Sequence, residues 1–454
     1  MIKVICTSVD RLPAQLNEGE RAFTYFKGAR RDGVGTIAKG WHGSLKRKGF
    51  RPSPATWDFV QFCLAVCATD LCGMRNTSAD GWTRTIDLSV GLHEPLRWQP
   101  YKYELEQLLK VLTGDYWSLT FTDAGLPPPQ GNFIAKQQDC VSLLSGGLDS
   151  FIGGLDLVAQ GKRPLFVSQL AHEDSERQRH YASLLGGADA HYQWSHGISF
   201  KGPREPSTRG RSLAFYAFAV LAASRLVIPR PAIYIPENGF ICINPPLVPG
   251  RVSSLSTRTT HPLFISKLQQ VLDGVGVSVQ FELPYRFKTK GEMMNECRDQ
   301  ARLRQLASDT TSCGRFRTYN RQHCGRCVPC MIRRAAFKAW RGGTDSTRYV
   351  FPQLIGSDKS SGPDDPMAVA LAVLTAKEKG IDRFLRASLA FAAPSERSRY
   401  WSALDSVIAP MHPPSGINCV GRCTPQRTTK SSWRRIAPWK CYRFLCMNVT
   451  SCKS

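Results

Sequence analysis

The chain has 454 residues, of which 42% are apolar and 10% aromatic, so it can build a buried core, which argues against global disorder. At roughly 150 residues per domain, this length allows about three domains. Sixty lysines and arginines against 36 acidic residues give a net charge of +24. Such an excess favours an anionic partner, namely nucleic acid, a phosphate-rich ligand or a membrane surface, with a generic solvated basic surface as the alternative.

The N-terminal segment lacks the apolar run and cleavage site of a secretory signal. The longest apolar stretch, Leu213–Ala223, is about half of a ~20-residue membrane span and is better interpreted as a buried helix. The sixteen cysteines are clustered, which favours metal binding over disulfides. We therefore expect a cytoplasmic protein with no membrane partner.

Residues 1–130 are predicted to form an α+β domain whose role the sequence does not indicate. Within it, Tyr103–Leu112 has helical spacing and Asp115–Phe121 alternates like a strand. The proline-rich segment Leu126–Gly131 then breaks the chain and is predicted to be a linker.

From Asp139 onward, short apolar runs alternate with helical patterns. The predicted strands lie at 140–144, 164–170, 232–236 and 277–283, and the predicted helices at 148–160, 173–185, 212–226 and 263–272. Strands alternating with helices imply a parallel sheet covered on both faces, so residues 139–341 are predicted to be an α/β core. Residues 362–410 are predicted to be a helical C-terminal region.

A glycine-rich hexapeptide follows the first of these strands and opens a helix. Its members are Ser145, Gly146, Gly147, Leu148, Asp149 and Ser150. Adjacent glycines let backbone N–H groups cluster around phosphate oxygens, and the helix N-terminus adds positive charge. The two serines offer hydroxyl donors, and Asp149 orients either a magnesium ion or the loop itself. The segment lacks the lysine of a Walker loop and does not match the dinucleotide fingerprint; an ordinary turn is the alternative.

Four cysteines have metal-binding spacing: Cys313, Cys324, Cys327 and Cys330. Four thiolates at about 2.3 Å satisfy tetrahedral zinc. Disulfides between such near neighbours would be strained, and an iron–sulfur cluster is the chemical alternative. Cys297 and His323 are spare candidate ligands.

The hexapeptide resembles the PP-loop of ATP pyrophosphatases, and its combination with the cysteine set resembles the 7-cyano-7-deazaguanine synthase (QueC) family. Between the motifs, Gly210–Ser212 resembles the family's Gly-Arg-Asn segment, with serine replacing asparagine. Thr289, Lys290 and Glu292 match its Thr-Lys-x-Glu segment. The resemblance spans residues 139 to about 341 and implies an adenine nucleotide alpha hydrolase-like, Rossmann-type sheet with a zinc-binding helical segment.

The flanking regions resemble the long QueC-like proteins of bacterial anti-phage operons, most of all the QatC components of Qat defence systems. Segments 80–86 and 112–117 carry this part of the resemblance. The acidic residue that holds the deazaguanine base in the family has no clear counterpart, and the region to search is 236–246. Two polar turns, 172–174 and 259–261, are interpreted as solvated caps.

The resemblance implies that a carboxylate, with 7-carboxy-7-deazaguanine as the expected one, attacks the α-phosphate of ATP and is then transferred from AMP to an amine. The amine is ammonia in the housekeeping reaction and the N-terminal amine of a partner protein in defence relatives. ATP, Mg²⁺ and Zn²⁺ are the expected cofactors. Asp149, Arg211 and Lys290 are the predicted catalytic residues; both basic residues have a surface role as the alternative.

Three further functions stay open: a housekeeping synthase for queuosine, a tRNA-modifying PP-loop enzyme and a non-catalytic zinc-ribbon protein that binds nucleic acid. The second needs a catalytic cysteine near the loop, yet Cys140 is interpreted as a core residue. The arginine-rich stretches Arg315–Arg326 and Arg333–Arg334 make the third conceivable; nucleic acid is a less favoured partner.

The last stretch, 412–454, contains eight lysines and arginines, no acidic residue and five cysteines. Without it the net charge falls from +24 to +16, so a third of the apparent nucleic-acid signal comes from this stretch. Its cysteine spacing fits no standard metal site, and it is interpreted as a disordered basic tail or as frame-shifted translation past the true end.

Overall fold

The computed structural model describes residues 1–29, 31–170, 174–245, 247, 258–354 and 365–400. The basic tail predicted at 412–454 lies outside the described residues, and so do His172 and Glu173 of the first polar turn.

Two five-stranded sheets form the framework. The first has the order β3-β2-β1-β4-β5 and consists of β1 (Ile2–Thr7), β2 (Glu20–Tyr25), β3 (Val34–Ile37), β4 (Thr85–Gly91) and β5 (Tyr116–Thr122). The second has the order β10-β9-β6-β7-β8 and consists of β6 (Cys140–Leu143), β7 (Pro164–Gln169), β8 (His191–Trp194), β9 (Ala232–Tyr234) and β10 (Gln280–Glu282). Every pairing between these strands is parallel.

Helices connect and cover the strands. They are α1 (Trp41–Arg47), α2 (Pro54–Cys72), α3 (Pro95–Trp98), α4 (Lys102–Thr113), α5 (Leu148–Ala159), α6 (Ser175–Gly186), α7 (Arg211–Ala223), α8 (Gly239–Ile243), α9 (Pro262–Gly274), α10 (Lys290–Glu296), α11 (Gln300–Leu306), α12 (Val328–Ala339), α13 (Asp365–Lys379) and α14 (Ile381–Leu385). The predicted α/β class of the core is therefore confirmed within the described residues, and α13 and α14 lie within the predicted C-terminal region.

The N-terminal region is α/β, and the expectation of an α+β domain was wrong. Val4 of β1 pairs in parallel with Arg21 on one side and Leu88 on the other. Parallel neighbours need crossover connections, and α2 and α4 lie in such connections. Both sheets share one plan, in which the chain starts in a central strand, adds two strands on one side and then two on the other.

Helices α2 and α7 pack against each other between the two sheets. Ser53 caps α2 by accepting a hydrogen bond from the Thr56 N–H (3.2 Å), and Pro54 follows at its first position. One hydrophobic core includes residues of both sheets, such as Leu88 and Val141. By length and composition α2 could span a membrane, but 94% of its most apolar 18-residue window is buried in the protein, as in a core helix.

A buried ionic cluster ties the first sheet to the start of α7. Its members are Asp70, Arg75, Arg84, Asp115, Glu205 and Arg209. Arg75 makes a bidentate pair with Asp115 (2.8 and 2.9 Å), and Arg84 bonds both Asp115 (2.6 Å) and Asp70 (2.5 Å). The other oxygen of Asp70 accepts from the backbone N–H of Gly210 (2.6 Å). Segments 80–86 and 112–117 thus supply Arg84 and Asp115 to a structural cluster.

The carboxyl end of the first sheet is covered by the chain itself. Ser8 N–H donates to the Ala124 carbonyl (2.7 Å), and Gly125 N–H donates to the Leu92 carbonyl (3.1 Å). A Cβ at Gly125 would lie 2.4 Å from the Leu92 carbonyl carbon, so only glycine fits. Backbone therefore fills the crevice between β1 and β4.

Candidate nucleotide site and metal centre

The glycine loop lies where the second sheet changes direction. The chain leaves β6 for β7 on one side and returns to β9 on the other, so the carboxyl ends of β6 and β9 flank a switch-point crevice, the usual ligand site of such sheets. The loop Ser145–Ser150 follows β6, and Glu237 follows β9.

The loop is braced from within. Gly146 has φ +90°, a backbone conformation that residues other than glycine rarely adopt. Ser145 Oγ accepts from the Gly147 N–H (3.2 Å), and the Ser150 hydroxyl donates to the Gly147 carbonyl (3.0 Å). Both hydroxyls, predicted as donors to a ligand, thus shape the loop in this state. Gln178 of α6 donates to the Ser145 carbonyl (3.1 Å), which fixes the strand end.

Leu148 and Asp149 open α5 directly after the loop. Leu148 is buried in the core, while the nearly buried Asp149 forms an ion pair with Lys290. The second oxygen of Asp149 accepts from the Asn238 side-chain amide (2.6 Å). These two contacts tie the start of α5 to α10 and to the segment after β9.

Lys290 is presented by a capped helix. Thr289 and Glu292 form a capping box at the N-terminus of α10: the Thr289 hydroxyl accepts from the Glu292 N–H (3.1 Å), and the Glu292 carboxylate accepts from the Thr289 N–H (2.7 Å). Lys290, the first helical residue, reaches Asp149 across 141 positions of sequence. The Thr-Lys-x-Glu segment therefore combines a helix cap with a buried positive charge.

A cavity of about 160 Å³ opens beside the loop, and the loop, Glu237 and Lys290 form one side of it. Thr311 and Ser312 belong to the cysteine segment, residues 310–327, and line the other side of the cavity together with Pro329 of α12. The loop backbone, the N-terminus of α5 and Lys290 thus border a space that the carboxylates of Asp149 and Glu237 also line. The basic part of this border can receive an anion.

A smaller cavity of about 40 Å³ lies behind the loop, against Phe215 and Tyr216 of α7. Thr259 and Thr260 of the second polar turn line it, although that turn was interpreted as a solvated cap. Glu237 lines both cavities.

Glu237 is an acidic cavity residue that the sequence did not indicate individually; only the region 236–246 was named. Its side chain is half-buried, and burial, reinforced by the nearby Asp149 and opposed by Lys290, raises its pKa to about 8. The available signal was an acidic residue directly after a predicted strand in an α/β sheet.

The four predicted cysteines form the candidate metal centre. All are buried, and their sulfurs lie within 4.8 Å of one another. The Sγ atoms of Cys313 and Cys327 are 3.8 Å apart, and those of Cys324 and Cys330 are 3.9 Å apart. Both distances are close to the ~3.8 Å edge of a tetrahedron with 2.3 Å metal–sulfur bonds. The set could therefore hold one metal ion such as zinc.

Backbone N–H groups support these sulfurs. Those of Arg315 and Cys324 point at Cys313 Sγ (3.3 Å each), and that of Cys327 points at Cys324 Sγ (3.2 Å). Cys330 sits in the first turn of α12, where the helix N-terminus favours a thiolate. Such contacts orient ligands and stabilise their charged form.

The spare candidates lie outside this set. Cys297 contacts the Asp299 carbonyl (3.8 Å), and His323 Nε2 accepts from the Ser312 N–H (3.1 Å), with its pKa lowered by burial to about 4. Cys140 is buried at the first residue of β6, at the opposite end of that strand from the loop, as expected of a core residue.

The segment that leads into the candidate metal centre contacts the loop. Thr311 N–H donates to the Gly146 carbonyl (3.1 Å). Arg177 of α6 donates to the Thr311 hydroxyl (3.3 Å) and lies over the ring of Phe316 (5.3 Å to its centroid). Arg177 therefore connects the sheet side of the cavity to the cysteine segment.

Arg211 is exposed at the start of α7 and lines neither cavity, whereas Lys290 faces the larger one. The preceding Gly210 is fixed by Asp70 of the buried ionic cluster (2.6 Å). The structure thus brings together the loop, Asp149 and Lys290, and leaves Arg211 outside the two cavities.

Comparison with protein-family models, with curated proteins and with solved structures gave no match.

Proposed function

We propose that this chain is a QueC-like, ATP-dependent ligase that adenylates a carboxylate, with 7-carboxy-7-deazaguanine as the expected substrate, and transfers it to an amine in anti-phage defence. The observation that carries the proposal is the glycine loop at the switch point of a parallel sheet, with Lys290 paired to Asp149 of that loop and lining the same cavity. The N-terminal amine of a partner protein is the proposed acceptor.

In this proposal the loop N–H groups and the N-terminus of α5 receive the phosphates of ATP–Mg²⁺. Lys290, which is paired with Asp149 in this structure, shifts part of its interaction to the phosphates and stabilises the negative charge that develops on them. The apolar side of the cavity, formed by Ile241 and Pro329, keeps water from the adenylate.

The cysteine set fits a structural zinc ion, because four thiolates close the coordination sphere and leave no position for a substrate. Zinc bound there would supply folding free energy and hold Thr311 and Ser312 at the cavity wall.

The test is ATP–pyrophosphate exchange with 7-carboxy-7-deazaguanine, comparing Lys290→Met with Lys288→Met as the matched control. Lys288 is partly exposed and pairs with Glu296, so its loss should leave exchange within about twofold. Loss of Lys290 should lower exchange at least about 100-fold. Absence of exchange in the wild type, or unchanged exchange in Lys290→Met, would contradict the proposed ligase function.

The double variant Asp149→Asn/Lys290→Met distinguishes a folding defect from a loss of catalysis. Removing only one partner of a buried ion pair costs about 3–5 kcal/mol, whereas removing both charges is far less costly. The double variant should therefore melt closer to the wild type than Lys290→Met does, and remain inactive.

A further inference from the structure

Among the described residues that line the larger cavity, two carry a carboxylate, Asp149 and Glu237. Asp149 is engaged by Lys290 and by Asn238. The Glu237 carboxylate makes no hydrogen bond or ion pair with any described residue. It is therefore the acidic group of the cavity available to an incoming molecule.

The position of Glu237 is as informative as its lack of a partner. It follows β9 at the switch point and lines both cavities, the larger one together with loop residues and the smaller one together with Tyr216. A molecule that reacts at the loop therefore occupies a cavity that Glu237 lines. A primary amine reaches such a site as an ammonium ion, which a half-buried carboxylate attracts.

We propose that Glu237 is the base that removes a proton from the attacking amine, an inference that rests on the proposed adenylation. The ammonium ion transfers one proton to the Glu237 carboxylate. The freed lone pair forms the C–N bond at the adenylate carbonyl and gives a tetrahedral adduct, whose nitrogen loses its second proton to solvent. The C–O bond to AMP then breaks, and AMP leaves with that electron pair, giving the amide.

The surrounding groups suit this role. Asp149 and Lys290 face Glu237 from α5 and α10, Tyr216 from α7, and Cys242 Sγ of α8 contacts the Glu237 carbonyl (3.6 Å). Burial and Asp149 raise the pKa of Glu237 to about 8, against the lowering effect of Lys290. A base is most effective when its pKa lies near the working pH.

The experiment compares wild type with Glu237→Gln using two nucleophiles, ammonium chloride and hydroxylamine. Hydroxylamine is already unprotonated at neutral pH, so it needs no base. We expect Glu237→Gln to lower amide formation from ammonia at least about 100-fold and hydroxamate formation less than about tenfold. The ammonia rate of the variant should keep rising with pH where the wild type has levelled off. Glu237→Asp should restore part of the rate, and Glu282→Gln, an exposed carboxylate on β10, should match the wild type.

Other results would overturn the inference. Equal losses with the two nucleophiles, or a raised KM for the carboxylate with unchanged kcat, would make Glu237 a substrate-holding residue. Full activity of Glu237→Gln with ammonia would exclude it as the base. Absence of pyrophosphate exchange in the wild type is a separate result, because it removes the adenylation itself and the inference with it.

Discussion

Asp149, Lys290 and Glu237 place two carboxyl groups and one ammonium group around a single cavity. Lys290 is paired with Asp149, so its charge offsets the burial of the second carboxylate only in part. Electrostatics therefore favours the protonated form of Glu237 until a cation or a nucleophile arrives. In the proposed reaction, an amine that enters as an ammonium ion would supply a positive charge beside Glu237.

This arrangement makes stability depend on pH at one residue. The folded-state pKa of Glu237, about 8, lies above the unfolded value of about 4.3. The native state therefore holds an extra proton between these values, and the contribution of Glu237 to stability is lost as the pH rises through about 8. We expect Glu237→Gln to become more stable relative to wild type between pH 5.5 and pH 8.5. Thermal melts of both proteins across that range measure the difference, and a difference independent of pH would contradict the pKa.

At the scale of elements, the cysteine segment and α12 form one wall of the cavity. This wall has few regular elements, since residues 310–327 contain neither helix nor strand. Its buried contacts include the four cysteines with Phe316. A metal ion is thus expected to hold it in place.

We predict that Cys313→Ser loses the bound zinc and that Cys297→Ser retains one equivalent, measured by elemental analysis. Loss of zinc should increase hydrogen exchange across residues 310–330 and at the loop, because Thr311 donates directly to Gly146. Retention of zinc by Cys313→Ser would exclude Cys313 as a ligand.

The elements differ in how well the sequence predicts them. The strand and helix around the glycine loop are apolar runs bounded by glycine, and the cysteine spacing alone indicates a metal site; both follow from local pattern. Strand β8, with the sequence His-Tyr-Gln-Trp, lies at a sheet edge and lacks an apolar run. The position of Arg211 depends on Asp70, a partner distant in sequence, and no local pattern contains it.

At the scale of the molecule, the shared core and the buried ionic cluster join the two sheets. Arg84 has its side chain fully buried and donates to Asp70 and Asp115. The parallel order of the first sheet could not be predicted because its strands recur at irregular distances and pair with partners up to 84 residues away, as Ile2 does with Ile86.

We expect Arg84→Met to destabilise the whole protein by about 3–5 kcal/mol, because it removes the close arginine partner of the buried Asp70 and leaves Asp115 with Arg75 alone. Calorimetry should give one transition at a lower temperature, since α2 and α7 belong to one core. Replacement of the exposed Arg97, which pairs with Glu94 on the surface, is the control and should cost at most about 1 kcal/mol. Two separate transitions would show that the sheets unfold independently.

The hydrogen bond from Thr311 to Gly146 has a consequence for the protein in a cell under oxidative stress. Cys313 is only two residues beyond that donor, and oxidants that convert thiolates to disulfides release the metal they bind. Loss of the metal would free the segment that contacts the glycine loop. Under the proposed function, oxidation would thus lower nucleotide use without modifying any residue of the loop, and reducing conditions with fresh zinc would restore it.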